Sequence, residues 1–303
     1  MTENSPIPHD LDTADDLLAQ GRHAEAIALL LQIASDRPEE EQVLLRLAWA
    51  LWDHGDRNGS VHYWEILLDR ELQRKVFTGF AYDELVRIYK QDSQIEKLVG
   101  LCEKVVHVQP QDAGLQEELG NAYLLSGQNE KARDIFSKLI SMEKDNPVFY
   151  CRMGDALMAT GKKVECEDAY CQAGQIDPDE ATRYFFLLAD LYNRYGDHSA
   201  AKRWLEKCLE ADGVNSLYLC ALGDTLIALQ QFQNAIDTYE KAAHCDAARA
   251  AVYYNRLGHS FMKAGHFLRA AQAFEKAVVL DAAGPYAAAL AGARKALEAG
   301  RST

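Results

Sequence analysis

Three aspartates, Asp155, Asp190 and Asp224, recur 35 and then 34 residues apart, and such a row of carboxylates is the first feature of this chain that suggests chemistry. Like charges held at a regular spacing repel one another, so the row suits a basic or hydrogen-bonding ligand that relieves the repulsion. The arginines Arg152, Arg183, Arg194 and Arg256 lie close by in the sequence and offer the other resolution, charge pairing inside the chain. Adjacent acids such as Glu117 with Glu118, or Glu39 through Glu41, read as solvated faces, because no pocket-forming pattern adjoins them. No phosphate-cradling glycine loop, H-E-x-x-H, G-x-S-x-G or calcium-loop motif occurs, so we infer no catalytic residues, no cofactor and no enzyme activity.

Seven cysteines, Cys102, Cys151, Cys166, Cys171, Cys208, Cys220 and Cys245, form no C-x-x-C pair and no zinc-type spacing with histidine. They are expected to be reduced thiols packed as small hydrophobes, with no metal site. Lys and Arg total 32 against 46 Asp and Glu, a formal charge of −14 that repels nucleic acid and anionic lipid. A basic protein segment is the partner this charge favours. No window is long and apolar enough to cross a membrane, and Met1 to Asp10 is polar and interrupted by Pro6 and Pro8. The expected place of action is the cytoplasm.

The aspartates belong to a longer repeat. A small residue follows a large apolar one at Ala48, Gly120, Gly154, Ala189, Gly223 and Gly258, with Val86 as the bulky exception and Gly292, after Ala291, continuing the series, at intervals of 34 or 35 residues except one of 38. Three residues later comes a bulky side chain on the same helical face, such as Tyr89, Tyr123, Tyr192 or Phe261. Seven residues after the small position stands Gly55, Gly127, Gly161, Gly196 or Gly265, or else Ser93 or Gln230, where a left-handed residue ends the helix. A second helix follows, with a small residue (Ser60, Ala132, Cys166, Ala201, Ala235, Ala270) four positions before a bulky one (Trp64, Phe136, Tyr170, Leu205, Tyr239, Phe274). Pro38, Pro110 and Pro178 then stop it. Gly120, Gly154, Gly223 and Gly258 are predicted to sit at helix contacts too close for a large side chain.

This pattern, clearest in "ELGNAYLLSGQNEKARDIF" and "NRLGHSFMKAGHFLRAAQAFEKAVVLD", resembles the tetratricopeptide repeat. The resemblance covers about residues 10–300 and implies an all-α, right-handed superhelical array of eight helix–turn–helix repeats starting near residues 7, 41, 79, 113, 147, 182, 216 and 251. A capping helix from about 285 follows, and residues 1–9 are expected to be flexible. The pattern weakens at Val86, Leu98 and Cys102, and four extra residues between Arg70 and Gly79 are expected to lengthen a connection. Because repeats bury apolar surface only against neighbours, one continuous array is expected.

In that family the first helix of each hairpin lines a concave groove, and the residue after the small position points into it. The slot reads Asp15, Trp49, Arg87, Asn121, Asp155, Asp190, Asp224 and His259. Trp49 and Trp52, three apart on one helix, read either as an apolar anchor for a partner or as packing; Trp64 reads as core. Only Asn121 matches the family's carboxylate clamp for chaperone tails, and Glu117 stands where that clamp needs lysine, so chaperone-tail docking is disfavoured. The resemblance implies a non-catalytic scaffold that binds a protein or peptide segment, a basic one if the aspartates contact it. The rival reading is a self-assembling unit that forms homo-oligomers through its end repeats.

Overall fold

A computed structural model describes residues 7–74 and 76–299, with side chains from Asp10 onward. Among them are seventeen α-helices, two short 3-10 turns and no strand. Contacts divide the chain into two compact units, up to Ile135 and from Phe136. The first unit holds α1 (Ile7–Ala19), α2 (His23–Asp36), α3 (Glu41–His54), α4 (Arg57–Arg74), α5 (Phe80–Gln91), α6 (Ile95–Val108) and α7 (Ala113–Leu125), and the division falls within α8 (Asn129–Met142). The second holds α9 (Pro147–Ala159), α10 (Lys163–Ile176), α11 (Ala181–Arg194), α12 (His198–Ala211), α13 (Ser216–Ala228), α14 (Phe232–Cys245), α15 (Ala250–Lys263), α16 (Phe267–Leu280) and α17 (Tyr286–Ala299). Of the segment expected to be flexible, residues 1–6 lie outside the described residues and 7–9 open α1.

Local chemistry sets the helix boundaries. Gly55, Gly127, Gly161, Gly196 and Gly265 have φ between 74° and 90°, and Ser93 and Gln230 reach 54° and 59° in the same left-handed region despite their Cβ atoms. At the other ends, the side chains of Asp112, Asn146 and Asn215 accept hydrogen bonds from the first free amides of α7, α9 and α13, and Pro147 occupies the first turn of α9, where no amide is needed.

The four extra residues after Arg70 lengthen a helix rather than a connection. α4 runs for 18 residues where the other second helices have 14. The added turn is held because Leu72 is buried and Arg74 pairs with Glu41 and Glu39, while Arg70 donates to the Pro38 carbonyl (2.6 Å).

Within the hairpins the small residues of the second helices, Ser60, Ala132, Cys166, Ala201, Ala235 and Ala270, are all fully buried. A Cβ placed on Gly154 would meet the Tyr170 ring at 2.7 Å, and on Gly223 or Gly258 the Tyr239 or Phe274 ring at 2.5 Å. The aromatic ring of the second helix thus fills the space that glycine leaves on the first. Gly292, at the same repeat position in α17, has nothing within 4 Å of such a Cβ. No second helix follows α17 among the described residues, so nothing presses on it.

Candidate functional site

In the second unit the first helices adjoin one another. α9 contacts α11 and α13 contacts α15, and the Asn193 amide on α11 donates to Thr225 Oγ1 on α13 (2.9 Å). This shared face carries the three aspartates. Gly154 brings the Tyr170 ring against α9, and the next residue, Asp155, accepts the Tyr170 hydroxyl (2.7 Å) and an Arg152 N–H (3.3 Å). Gly223, Tyr239 and Asp224 repeat the arrangement: the Tyr239 hydroxyl and Ser260 donate to one carboxylate oxygen, and Arg256 on α15 donates to the other (2.8 Å). Burial, followed by the adjacent aspartate, pushes both phenols well above their usual range, so they remain hydroxyl donors.

Asp190 differs. At the offset where Tyr170 and Tyr239 stand, the sixth hairpin has Leu205, which has no hydroxyl, and Asp190 pairs with Arg194 (3.1 Å). Its side chain is 58% exposed, against 20% for Asp155 and 33% for Asp224. Of the two resolutions the sequence left open, the row of aspartates adopts pairing inside the chain, because each aspartate has an arginine three or four residues away on its own helix or one repeat further on. The same holds for Asp15, paired with Arg46 (2.8 Å).

His259 is exposed and stands edge-on to Phe274, with ring centroids 5.0 Å apart. Asn121 is half-buried on α7. Arg87 chelates Glu84 (2.6 and 2.9 Å) and lies over the Trp52 ring at 4.7 Å, with Arg57 over the same ring at 4.9 Å. Trp49 instead packs edge-to-face on Trp64 (5.4 Å), which is buried and also meets Phe80 (5.7 Å). The two tryptophans are thus engaged with different neighbours, Trp52 beneath guanidiniums and Trp49 in an aromatic cluster.

Sequence reasoning missed how the face is charged around a pocket of about 320 Å³ between α9 and α11. Its floor is Cys151, Tyr170 and Tyr184, all buried, and Val148 and Leu187 form apolar walls. Arg152, Arg183 and Arg194 surround it, with Asp155 as the one carboxylate in the lining. Burial pushes the Cys151 thiol up to about 12, so the floor is neutral and the lining carries a positive excess. No cluster of potential metal ligands occurs among the described residues, and none of the described helices is long and apolar enough to cross a membrane.

Family models described as tetratricopeptide repeat match residues 11–74, and residues 113–146, 182–215, 217–243 and 251–283, together more than half of the chain. The intervening third and fifth hairpins are unmatched. Among solved structures, a tetratricopeptide repeat protein from Parabacteroides merdae is similar at 14% identity and a TM-score of 0.54, over 84% of this chain and 98% of that one. MamA (17% identity, TM-score 0.43, 57% of this chain and 94% of that one) also aligns. So does YrrB, described as a TPR protein with an unusual peptide-binding site (14%, 0.37, 66% and 97%). No curated protein sequence matches significantly.

Proposed function

We propose, because this chain belongs to the tetratricopeptide-repeat family, that it is a non-catalytic scaffold whose first-helix face holds a segment of a partner protein. The observation that carries this reading is the pocket between α9 and α11, where apolar walls and exposed charged groups converge on the face that successive repeats share. Seven cysteines without a disulfide framework suit a reducing compartment, which supports the reading of a cytoplasmic scaffold.

A basic segment reaching Asp155, Asp190 and Asp224 would have to replace Arg152, Arg194 and Arg256, so each contact exchanges one cation for another. An exposed exchange of this kind contributes about 0.2–1 kcal/mol at most. The basic-segment reading is therefore strongest at Asp190, the most exposed of the three.

The test compares faces. Partners captured from cytoplasm by the parent are identified, and capture is repeated with Leu187→Glu on α11 and with Lys202→Glu on α12. A scaffold using the first-helix face loses its partner with the α11 change and keeps it with the α12 change; the reverse pattern refutes this reading. Light scattering over a concentration series addresses self-assembly, since concentration-dependent polymers would favour end-to-end docking.

A further inference from the structure

In a chain of net charge −14, three arginines around one pocket run against the overall field. Arg152 comes from α9 and Arg183 and Arg194 from the two ends of α11. Their internal partners leave donors unused. Arg183 approaches Glu180 only to 3.6 Å, beyond hydrogen-bond length, and Arg194 reaches Asp190 through Nε and not through its terminal N–H groups. Arg152 engages Asp155 through Nη1 alone. Asp155, which also accepts the buried Tyr170 hydroxyl, is the one carboxylate in the lining against three arginines. The side chains of Arg183 and Arg194 are 67% and 62% exposed, so both can turn towards a ligand at little cost.

We propose that this pocket binds an acidic segment of a partner protein, with an Asp or Glu side-chain carboxylate held by Arg152, Arg183 and Arg194 and a neighbouring apolar side chain packed on Val148 and Leu187. The proposal rests on the scaffold reading and specifies the chemistry of its ligand. A guanidinium presents parallel N–H groups that match both carboxylate oxygens, which a lysine cannot do, and two such forks on one anion select a carboxylate in place of a neutral amide. At about 320 Å³ the pocket has room for one or two side chains, and its floor of neutral Cys151, Tyr170 and Tyr184 strengthens charge contacts by excluding water. The ligand expected from the aspartates alone was basic; the pocket reverses that sign, because its lining holds three arginines and one carboxylate, and the arginines keep N–H groups beyond their contacts with Asp155, Glu180 and Asp190.

The experiment uses the full chain to select from a displayed library of random dodecapeptides with amidated C-termini, followed by titration of the enriched peptides. Enrichment of Asp or Glu beside an apolar residue supports the proposal. Each selected peptide should then bind at least about tenfold more weakly to an Arg183→Glu, Arg194→Glu double variant, and similarly when its acids are changed to Asn or Gln. The Lys202→Glu variant should bind like the parent. Enrichment of Lys or Arg, enrichment with no charge preference, or binding that is unchanged in the double variant overturns the acidic assignment without touching the scaffold reading. No enrichment overturns it as well, and the face-swap capture then decides the scaffold reading by itself. Circular dichroism of the double variant checks that both substitutions, at exposed positions, leave the helices intact.

Discussion

The fifth and seventh hairpins and the sixth close by different means. In the fifth and seventh, a glycine admits a tyrosine ring, and the aspartate after that glycine accepts the hydroxyl, so one cross-helix bond joins first helix to second. Their second helices, α10 and α14, begin after Lys162 and Gln231, which supply no side-chain cap. In the sixth, Ala189 and Leu205 occupy the equivalent positions without a hydroxyl, and Asp197 caps α12 by accepting from the Ala200 amide (3.2 Å) while pairing with Lys163 (2.7 Å). The difference teaches which repeated residue is structural and which is available. Asp155 and Asp224 are parts of their hairpins, and Asp190, the most exposed of the three, is on the surface.

The largest expected effect is steric. Gly154→Leu or Gly223→Leu should lose at least about 1–3 kcal/mol in denaturant titration, because the added side chain starts inside a tyrosine ring. The same change at Gly292, where a Cβ meets nothing within 4 Å, should cost under about 1 kcal/mol. Equal losses at the two kinds of site would break the account of glycine as room for a ring.

Next come the aspartates. Asp155→Ala leaves the buried Tyr170 hydroxyl without its acceptor and should cost about 1–3 kcal/mol, whereas Asp190→Ala should stay within about 0.5 kcal/mol. Chemical denaturation of the two variants side by side measures the difference, and a costly Asp190→Ala would mean that the sixth hairpin holds a partner for that carboxylate after all.

A smaller effect should appear at the sixth hairpin's cap. Asp197→Ala should cost about 0.5–1 kcal/mol at pH 7, since the carboxylate is partly exposed and its pairing with Lys163 is screened. The Lys163 contact, then the Ala200 amide, holds the Asp197 carboxyl below its usual pKa. An acid depressed on folding stabilises above its unfolded pKa and loses that contribution as pH falls through the folded value. The gap between parent and variant should therefore shrink as the pH is lowered below about 4, and a gap independent of pH would assign the loss to helix propensity alone.

The least perturbing measurement is thiol reactivity. Burial raises Cys102, Cys208 and Cys220 to about 11 and Cys151 and Cys166 to about 12, while Cys245 is exposed. Maleimide at neutral pH should label Cys245 first, the half-buried Cys171 next, and the five buried thiols at rates set by unfolding. Rapid labelling of Cys166, which packs near the Gly154–Tyr170 contact, would show that the fifth hairpin opens readily.

Much of the helical scaffold was legible because its causes are local. A left-handed residue ends a helix wherever it stands, so Ser93 and Gln230 could be placed in the turns from their position alone. The extra turn of α4 was not legible, because four residues that interrupt a period can extend a helix or a loop with equal ease, and the burial of Leu72 with the contacts of Arg70 and Arg74 to the Pro38 turn and the start of α3 settle which. At the candidate site, the sequence showed the aspartates and nearby arginines but not their pairing. The co-occurrence of Gly, Asp and Tyr at offsets of 1 and 16 in the fifth and seventh copies was the one signal that could have exposed the hydroxyl bonds.

What the amino-acid sequence by itself determined was the period, the turns inside the hairpins, and which side chains are small where a neighbour is large, since these follow from backbone sterics and from apolar spacing within a few turns. Tertiary structure alone decided which charges remain available. A carboxylate is spent or free according to a hydroxyl 15 residues away across the hairpin or an arginine 32 residues away in the next one, and no local rule ranks those partners against each other.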